Sequence, residues 1–214
     1  MQMNPFSDAF KFLTQGGWPI YLFWLLLLGA GIAAVYNLIV DERQRSVKDI
    51  WMCLARILLG SMWWQQTLWK LPPWYTDLPS VPDSGLKHWM IEMVNSAALS
   101  IQSTFVKDIV LAHFNIFAPM VYGIECIIAA SLILGVFTRL GAALGALMAV
   151  NLWLGLYRSP TEWPWTYFFL VLLQVSFAVL QVGRSLGVDA ILVRRLNGQY
   201  GPKGMIVRII ALIT

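Results

Sequence analysis

Hydrophobic positions along this chain come in long unbroken blocks, not in the strict alternation of a half-buried strand. The block from Ala118 to Ala142, APMVYGIECIIAASLILGVFTRLGA, shows the pattern best. A helix crosses a bilayer with about 20 apolar residues, and this block is long enough to do so. One carboxylate, Glu125, sits near its middle. A charge at that depth is costly unless it is paired, protonated or turned to a polar cavity. Thr138-Arg139 and a further apolar run follow at once, so the chain turns back sharply there.

Read in order, the blocks predict five transmembrane helices. The first is about Trp18–Val40, with Gly29, Gly31, Ala33 and Ala34 forming a smooth flank. It is too long for a signal-peptide core and lacks a small-residue cleavage site, so it is expected to remain as a helix. A charged link, Asp41 to Arg45, follows. The second helix, about Ile50–Leu71, contains Arg56, Gln65 and Gln66 and stops at Pro72-Pro73. The third is about Ala112–Phe137, the fourth about Leu140–Tyr157 and the fifth about Pro164–Val182. From Gly183 onward, Arg194, Arg195, Gly198, Gly201 and Pro202 break the tail too often for another span. Between the second and third helices, a turn-rich stretch from Pro79 to Gly85 leads into Leu86–Val110. There Leu86, Trp89, Met90, Met93, Val94 and Ala97 share one face, against Lys87, Glu92 and Asn95. That spacing predicts an interfacial helix across the outer mouth of the bundle, either shielding a cavity or covering helix ends.

Composition narrows the class. Hydrophobic residues make up 58% and charged residues 12%, with a mean hydropathy of +0.66, so a water-soluble domain is excluded. The net charge of +4 does not point to nucleic acid, because the basic residues stand at the ends of apolar runs. With the N-terminus outside, Arg43, Arg45, Lys48, Arg139, Arg184, Arg194, Arg195, Lys203 and Arg208 fall inside. Lys11, Lys70, Lys87, Lys107 and Arg158 then fall outside, and Arg56 lies within the second helix. This asymmetry favours an outer N-terminus and a cytoplasmic C-terminus. Trp18, Trp63, Trp64, Trp69, Trp74, Trp89, Trp153, Trp163 and Trp165 fall near the outer interface. Trp51 marks the inner one, and Trp24 lies deeper.

The polar groups inside the apolar blocks are the candidate chemistry. At about 1.5 Å per residue, Glu125 lies roughly 18 Å, Asn151 roughly 16 Å, Gln174 roughly 12 Å and Arg56 roughly 9 Å above the inner ends of their helices. A long arginine side chain can close several ångströms toward Glu125, so the four are expected to converge in one bundle. Gly141, Gly145 and Ala149, spaced by four, permit close contact of the fourth helix. Arg56 and Glu125 are then either a buried pair that fixes helix register or the lining of a head-group site. His88 and His113 both lie toward the outer side, which argues against bis-histidine haem, and no metal-ligand spacing is present. Cys53 and Cys126 stand on separate runs without a CxxC, and no Walker or Rossmann glycine pattern supports a nucleotide or flavin.

Several of these segments carry a resemblance. Arg56-Ile-Leu-Leu-Gly60, Trp69-Lys70-Leu71, Glu125, Leu134 to Arg139 and Gly183 to Asp189 resemble, in order, the motifs of DoxX/DoxD membrane proteins. The resemblance covers about Trp51–Leu192. It implies an all-α polytopic membrane protein with a four-helix bundle at 50–192. To this the chain adds an N-terminal transmembrane helix and charged link at 1–49 and a basic cytoplasmic tail at 193–214. DoxD members are membrane subunits of thiosulfate:quinone oxidoreductases, so the resemblance implies a quinone. Arg56, Glu125 and Asn151 would meet its head group, and Trp64 and Tyr122 would form its walls. The expected setting is a bacterial or archaeal inner membrane. The expected partners are lipid and other membrane subunits, the latter docking through Trp18–Val40. The alternative is a non-catalytic accessory subunit of a respiratory or photosynthetic complex.

Overall fold

The structure, a computed structural model, describes residues 4–14, 17–73, 75, 85–200, 210 and 212–214, and these form helices and turns without strands. A short helix α1 (Pro5–Thr14) precedes α2 (Trp18–Val40), then α3 (Val47–Thr67), α4 (Leu86–Ser96) and α5 (Ser100–Phe105). After these come α6 (Phe114–Leu134), α7 (Thr138–Gly155), α8 (Pro164–Leu180) and α9 (Val188–Tyr200). The five expected spans correspond to α2, α3, α6, α7 and α8, with ends shifted by a few residues. Helices α2 and α6 are long and apolar enough to cross a membrane, and α8 is apolar at 17 residues. In α3, Lys48, Asp49 and Arg56 lower the hydropathy, and in α7 so do Arg139 and Asn151. Trp74, Ser84, Lys203, Arg208 and most of the turn-rich stretch before Gly85 lie outside the described residues.

Local chemistry sets the helix ends. Asp41 stops α2 and accepts a bond from the Arg43 amide at 3.1 Å, opening a tight turn Glu42–Arg45. Ser46 then caps α3 by accepting from the Asp49 amide at 3.1 Å, a contact worth about 1 kcal/mol. Gly135, at φ +72°, ends α6 in the left-handed region that glycine adopts without a Cβ penalty. Pro164 opens α8 at its first position, where the missing N–H costs nothing.

The bundle is two tight helix pairs, α3 with α6 and α7 with α8, joined along α6 and α7. Close approach depends on small residues. A Cβ at Gly60 would stand 2.8 Å from the backbone nitrogen of Ile133, so α3 and α6 meet there almost backbone to backbone. Gly141, Gly145 and Ala149 are buried in the bundle, as their spacing predicts. Trp63, Ile128, Ala129, Leu132, Ile133 and Ala142 form the centre of the core. Large apolar side chains such as Leu28, Ile32, Leu147 and Val179 face outward, each more than 60% exposed. That inversion suits a lipid solvent.

Helix α2 is more firmly attached than a peripheral docking element. Phe23 is 2% exposed and belongs to the main core, and Gly29 packs on Leu134. The smooth flank therefore divides: Gly29 and Ala33 turn inward, while Gly31 faces open space. The Leu86–Val110 segment keeps its predicted apolar face, with Leu86, Met90 and Met93 buried. It is not one helix. The chain breaks at Ala97–Leu99, where the Ala98 amide bonds the Leu154 carbonyl at 2.7 Å and the Arg158 amide bonds the Ser96 carbonyl at 2.9 Å. These bonds to the end of α7 replace the helical bonds that a continuous helix would have made. Beyond α5 the coil widens into a π-helical stretch, Val106–Val110.

Candidate functional site

At the end of α3 the chain cannot continue as helix into Pro72-Pro73. A turn closed by the Lys70 amide on the Thr67 carbonyl at 3.1 Å carries Lys70 back over α6. Its Nζ lies 2.5 and 2.6 Å from the two carboxylate oxygens of Glu125. Lys70 is 5% exposed and Glu125 2%. The same ammonium stands 4.3 Å from the ring centroid of Trp69, so an aromatic face also shields the charge. Two ions buried this deeply hold only because each gives the other a charge-assisted partner.

Around this pair the groups are amphipathic. Tyr122 and Cys126, one turn apart on α6, are half-buried beside Glu125. Tyr75 meets Tyr122 edge to face at 5.8 Å. The Tyr75 carbonyl accepts the first amide of α4, from Leu86, at 3.1 Å. Trp69 and Trp89 meet at a tilt, their ring centroids 6.5 Å apart. Helix α4 therefore sits as a cap on the Lys70–Tyr75 turn. Glu92 of that cap accepts from Ser96 Oγ at 2.7 Å, and this bond holds its carboxyl below the usual range.

The expected Arg56–Glu125 pair does not form. Arg56, fully buried, donates through Nη1 to the carbonyls of Leu132 and Ile133, the latter at 2.8 Å, and its Nη2 lies 3.6 Å from Cys53 Sγ. Those carbonyls belong to the last turn of α6, where no helical amide remains to bond them and the helix dipole favours a cation. Glu125 lies seven residues earlier, roughly 10 Å of rise away. A single guanidinium cannot serve both, and the cluster of free carbonyls holds it. Arg56 thus caps a helix, and Lys70 takes the carboxylate.

A second polar cluster joins the two motifs at the inner end. Asp189 accepts from the amides of Phe137 and Thr138 at 2.7 and 3.0 Å and from the Thr138 hydroxyl at 2.6 Å. It caps α7 from across the fold. Burial pushes its carboxyl above the usual range, although these three bonds oppose the shift. The Asp189 amide returns a bond to Gly135 at 2.7 Å. From α2, Asn37 donates to the Gly187 carbonyl at 2.9 Å and accepts from Arg194 at 2.9 Å. Gln44 accepts from the Leu186 amide at 2.8 Å. These bonds tie segment 1–49 to the loop before α9.

The remaining expected residues do not converge. Asn151 faces outward and binds Gln102 of α5, which donates to its carbonyl at 2.9 Å and to its side chain at 3.2 Å. Gln174 lies fully buried in the α7–α8 contact against Gly145. Trp64 packs against Phe23 at 6.3 Å, with its indole N–H buried and unpartnered. Lys70, the residue missing from the expected set, was legible only as part of Trp69-Lys70-Leu71 just before two prolines.

The DoxX family matches residues 51–158 of the 214-residue chain, a span running from early in α3 past the end of α7 and therefore holding both members of the buried ion pair. Comparison with curated proteins and with solved structures gives no match. The family match, the helical bundle and its outward apolar faces identify an integral membrane protein. By its match over half its length, this chain belongs to the DoxX family.

Proposed function

We propose that this chain is an integral membrane subunit of quinone-linked electron transfer, related in role to the DoxD subunits, with the Lys70–Glu125 pair as its polar centre. The observation that carries this reading is the pair itself, buried against the middle of α6 beside two phenols and a thiol. Intramembrane ionisable groups are functional by default. The residues present fit a quinone. A lysine ammonium has three donors, of which Glu125 takes two. Tyr75 and Tyr122 supply flat apolar surface. Lys70 would donate its remaining N–H to a carbonyl oxygen, and Glu125 would hold or release a proton at its carboxylate. The quinone supplies the redox chemistry, and a partner protein supplies the electrons. The proposed setting is a bacterial or archaeal inner membrane, with the N-terminus outside and the C-terminus in the cytoplasm.

A specific observation favours a second reading, an accessory subunit without a ligand. The ion pair is closed, 5% and 2% exposed, so its charges are satisfied within the bundle. In that reading the outer flank of α2 from Trp24 to Ile39 meets another membrane subunit. Quinone extracted from purified protein distinguishes the two. Wild type should retain it, and the double variant Lys70→Met with Glu125→Leu should lose it at unchanged helix content. Equal quinone in both samples, or none in either, would leave the accessory role.

A further inference from the structure

A second feature lies away from the ion pair, at the hairpin between α7 and α8. Trp153, Tyr157, Trp163, Pro164, Trp165 and Phe168 enclose a half-open cavity of about 300 Å³. Tryptophans at a membrane interface ordinarily scatter around the perimeter as anchors. These rings instead gather around one concavity. Phe168 is held edge to face by Trp153, at 5.5 Å and 63°, and by Trp165, at 5.4 Å and 83°.

The backbone that carries the walls is held before any ligand arrives. Pro164 at the first position of α8 sets the chain direction beside Trp163. The hairpin is closed by Ser159 on Leu156 at 3.1 Å, and it is anchored outside itself by the Arg158 amide on Ser96 at 2.9 Å. A preformed wall loses little entropy on binding. The faces of aromatic rings are negative, so a box of them attracts a cation. Among the lining side chains, one hydroxyl, that of Tyr157, can accept a hydrogen bond. An ammonium with N–H groups would leave most of them unmatched, whereas a trimethylammonium has none to satisfy. The nearest carboxylate in sequence, Glu162, is engaged by the Tyr167 hydroxyl at 2.9 Å. Arg158 follows Tyr157 directly in the chain and is exposed, its guanidinium 3.4 Å from the Ala98 carbonyl. A positive group beside a cation box matches a ligand that carries an anion next to its cation.

We propose that this aromatic box binds the trimethylammonium of a zwitterionic phospholipid head group, with Arg158 meeting the phosphate. The site is independent of the quinone reading.

The test titrates the purified full chain in a maltoside detergent with short-chain dihexanoyl lipids. Phosphatidylcholine should bind, and phosphatidylethanolamine and phosphatidylglycerol should bind at least about tenfold more weakly, the scale of one desolvated cation–π contact. Trp165→Leu and Phe168→Leu should each reduce phosphatidylcholine binding by a similar factor. Trp165 is 54% exposed, so its variant should fold. Trp51→Leu, at the far end of the molecule, should change nothing. Arg158→Gln should weaken phosphatidylcholine yet leave the weaker binding of free choline chloride unaltered. Equal binding of the three lipids, or indifference to Trp165→Leu in a folded protein, would reduce the box to an interfacial anchor and overturn the proposal. Choline binding as tight as the lipid would also overturn it, because the phosphate contact would then contribute nothing.

Discussion

Two buried cations in this chain meet the same desolvation problem with different partners. Lys70 is a compact ammonium and takes a carboxylate head on, at 2.5 and 2.6 Å. Arg56 is a planar fork and spreads its charge over the carbonyls that end α6. Removing one member of the Lys70–Glu125 pair strands the other, at a cost of about 3–5 kcal/mol. Glu125→Gln should therefore unfold much more readily in detergent when Lys70 is present than when Lys70→Met accompanies it. Two additive effects in that cycle would mean that the pair does not interact. Gly135 is the complementary case. A Cβ there would lie 2.6 Å from Arg56 Nη1, in addition to the positive-φ strain of about 1 kcal/mol. Gly135→Ala should lower the melting temperature more than Gly31→Ala, whose Cβ meets nothing within 4 Å.

At the scale of elements, the turns decide which side chains meet. The prolines after α3 force Lys70 back onto α6, and the break at Ala97–Leu99 lets α4 lie across that turn while α5 follows α7. Glu92 gives this cap a modest pH dependence. Its folded pKa is lowered from 4.5 chiefly by the Ser96 hydroxyl, so the bond stabilises the fold above pH 4.5. That stabilisation is lost as the pH falls through the lowered value. The group is near the surface, so the effect should be a few tenths of a kcal/mol. Ser96→Ala should accordingly destabilise the protein at neutral pH and converge on wild type at acid pH, below the lowered pKa, in melting curves. A gap that stayed constant with pH would assign the loss to packing.

Across the whole molecule, α2 is locked to the family bundle through the loop before α9. Asn37 is fully buried and joins Gly187 to Arg194. Asn37→Leu leaves the Gly187 carbonyl and the guanidinium without that partner, which should cost about 1–3 kcal/mol. The melting temperature of Asn37→Leu should fall clearly below that of Ile39→Leu, a substitution on the exposed flank. Equal melting would mean that α2 is held by its apolar contacts alone. The same attachment bears on deletion of residues through Val40, which would uncover the core around Phe23.

The hydrophobic blocks by themselves determined the helical class, the positions of the five long helices and the apolar face of α4. These properties are local, set by runs and spacings that each helix carries within its own segment. The isolated carboxylate in an apolar run also marked Glu125 as a group needing a partner. Which partner it takes was decided only by the tertiary structure. Depth along separate helices is one coordinate, and it made Arg56 and Glu125 neighbours. Rotation about each axis and the unbonded carbonyls at the end of α6 are others, and these hold Arg56 toward Leu132 and Ile133. Asn151 had a suitable depth too, but its rotation faces it outward to Gln102. The Lys70 contact spans 55 residues and needs a turn whose direction two prolines permit but do not specify. Asp189 shows the same limit, since its carboxylate caps a helix that begins 51 residues earlier. Such bonds depend on how α3, α6, α7 and the segment before α9 pack together, and no single stretch of sequence encodes that packing.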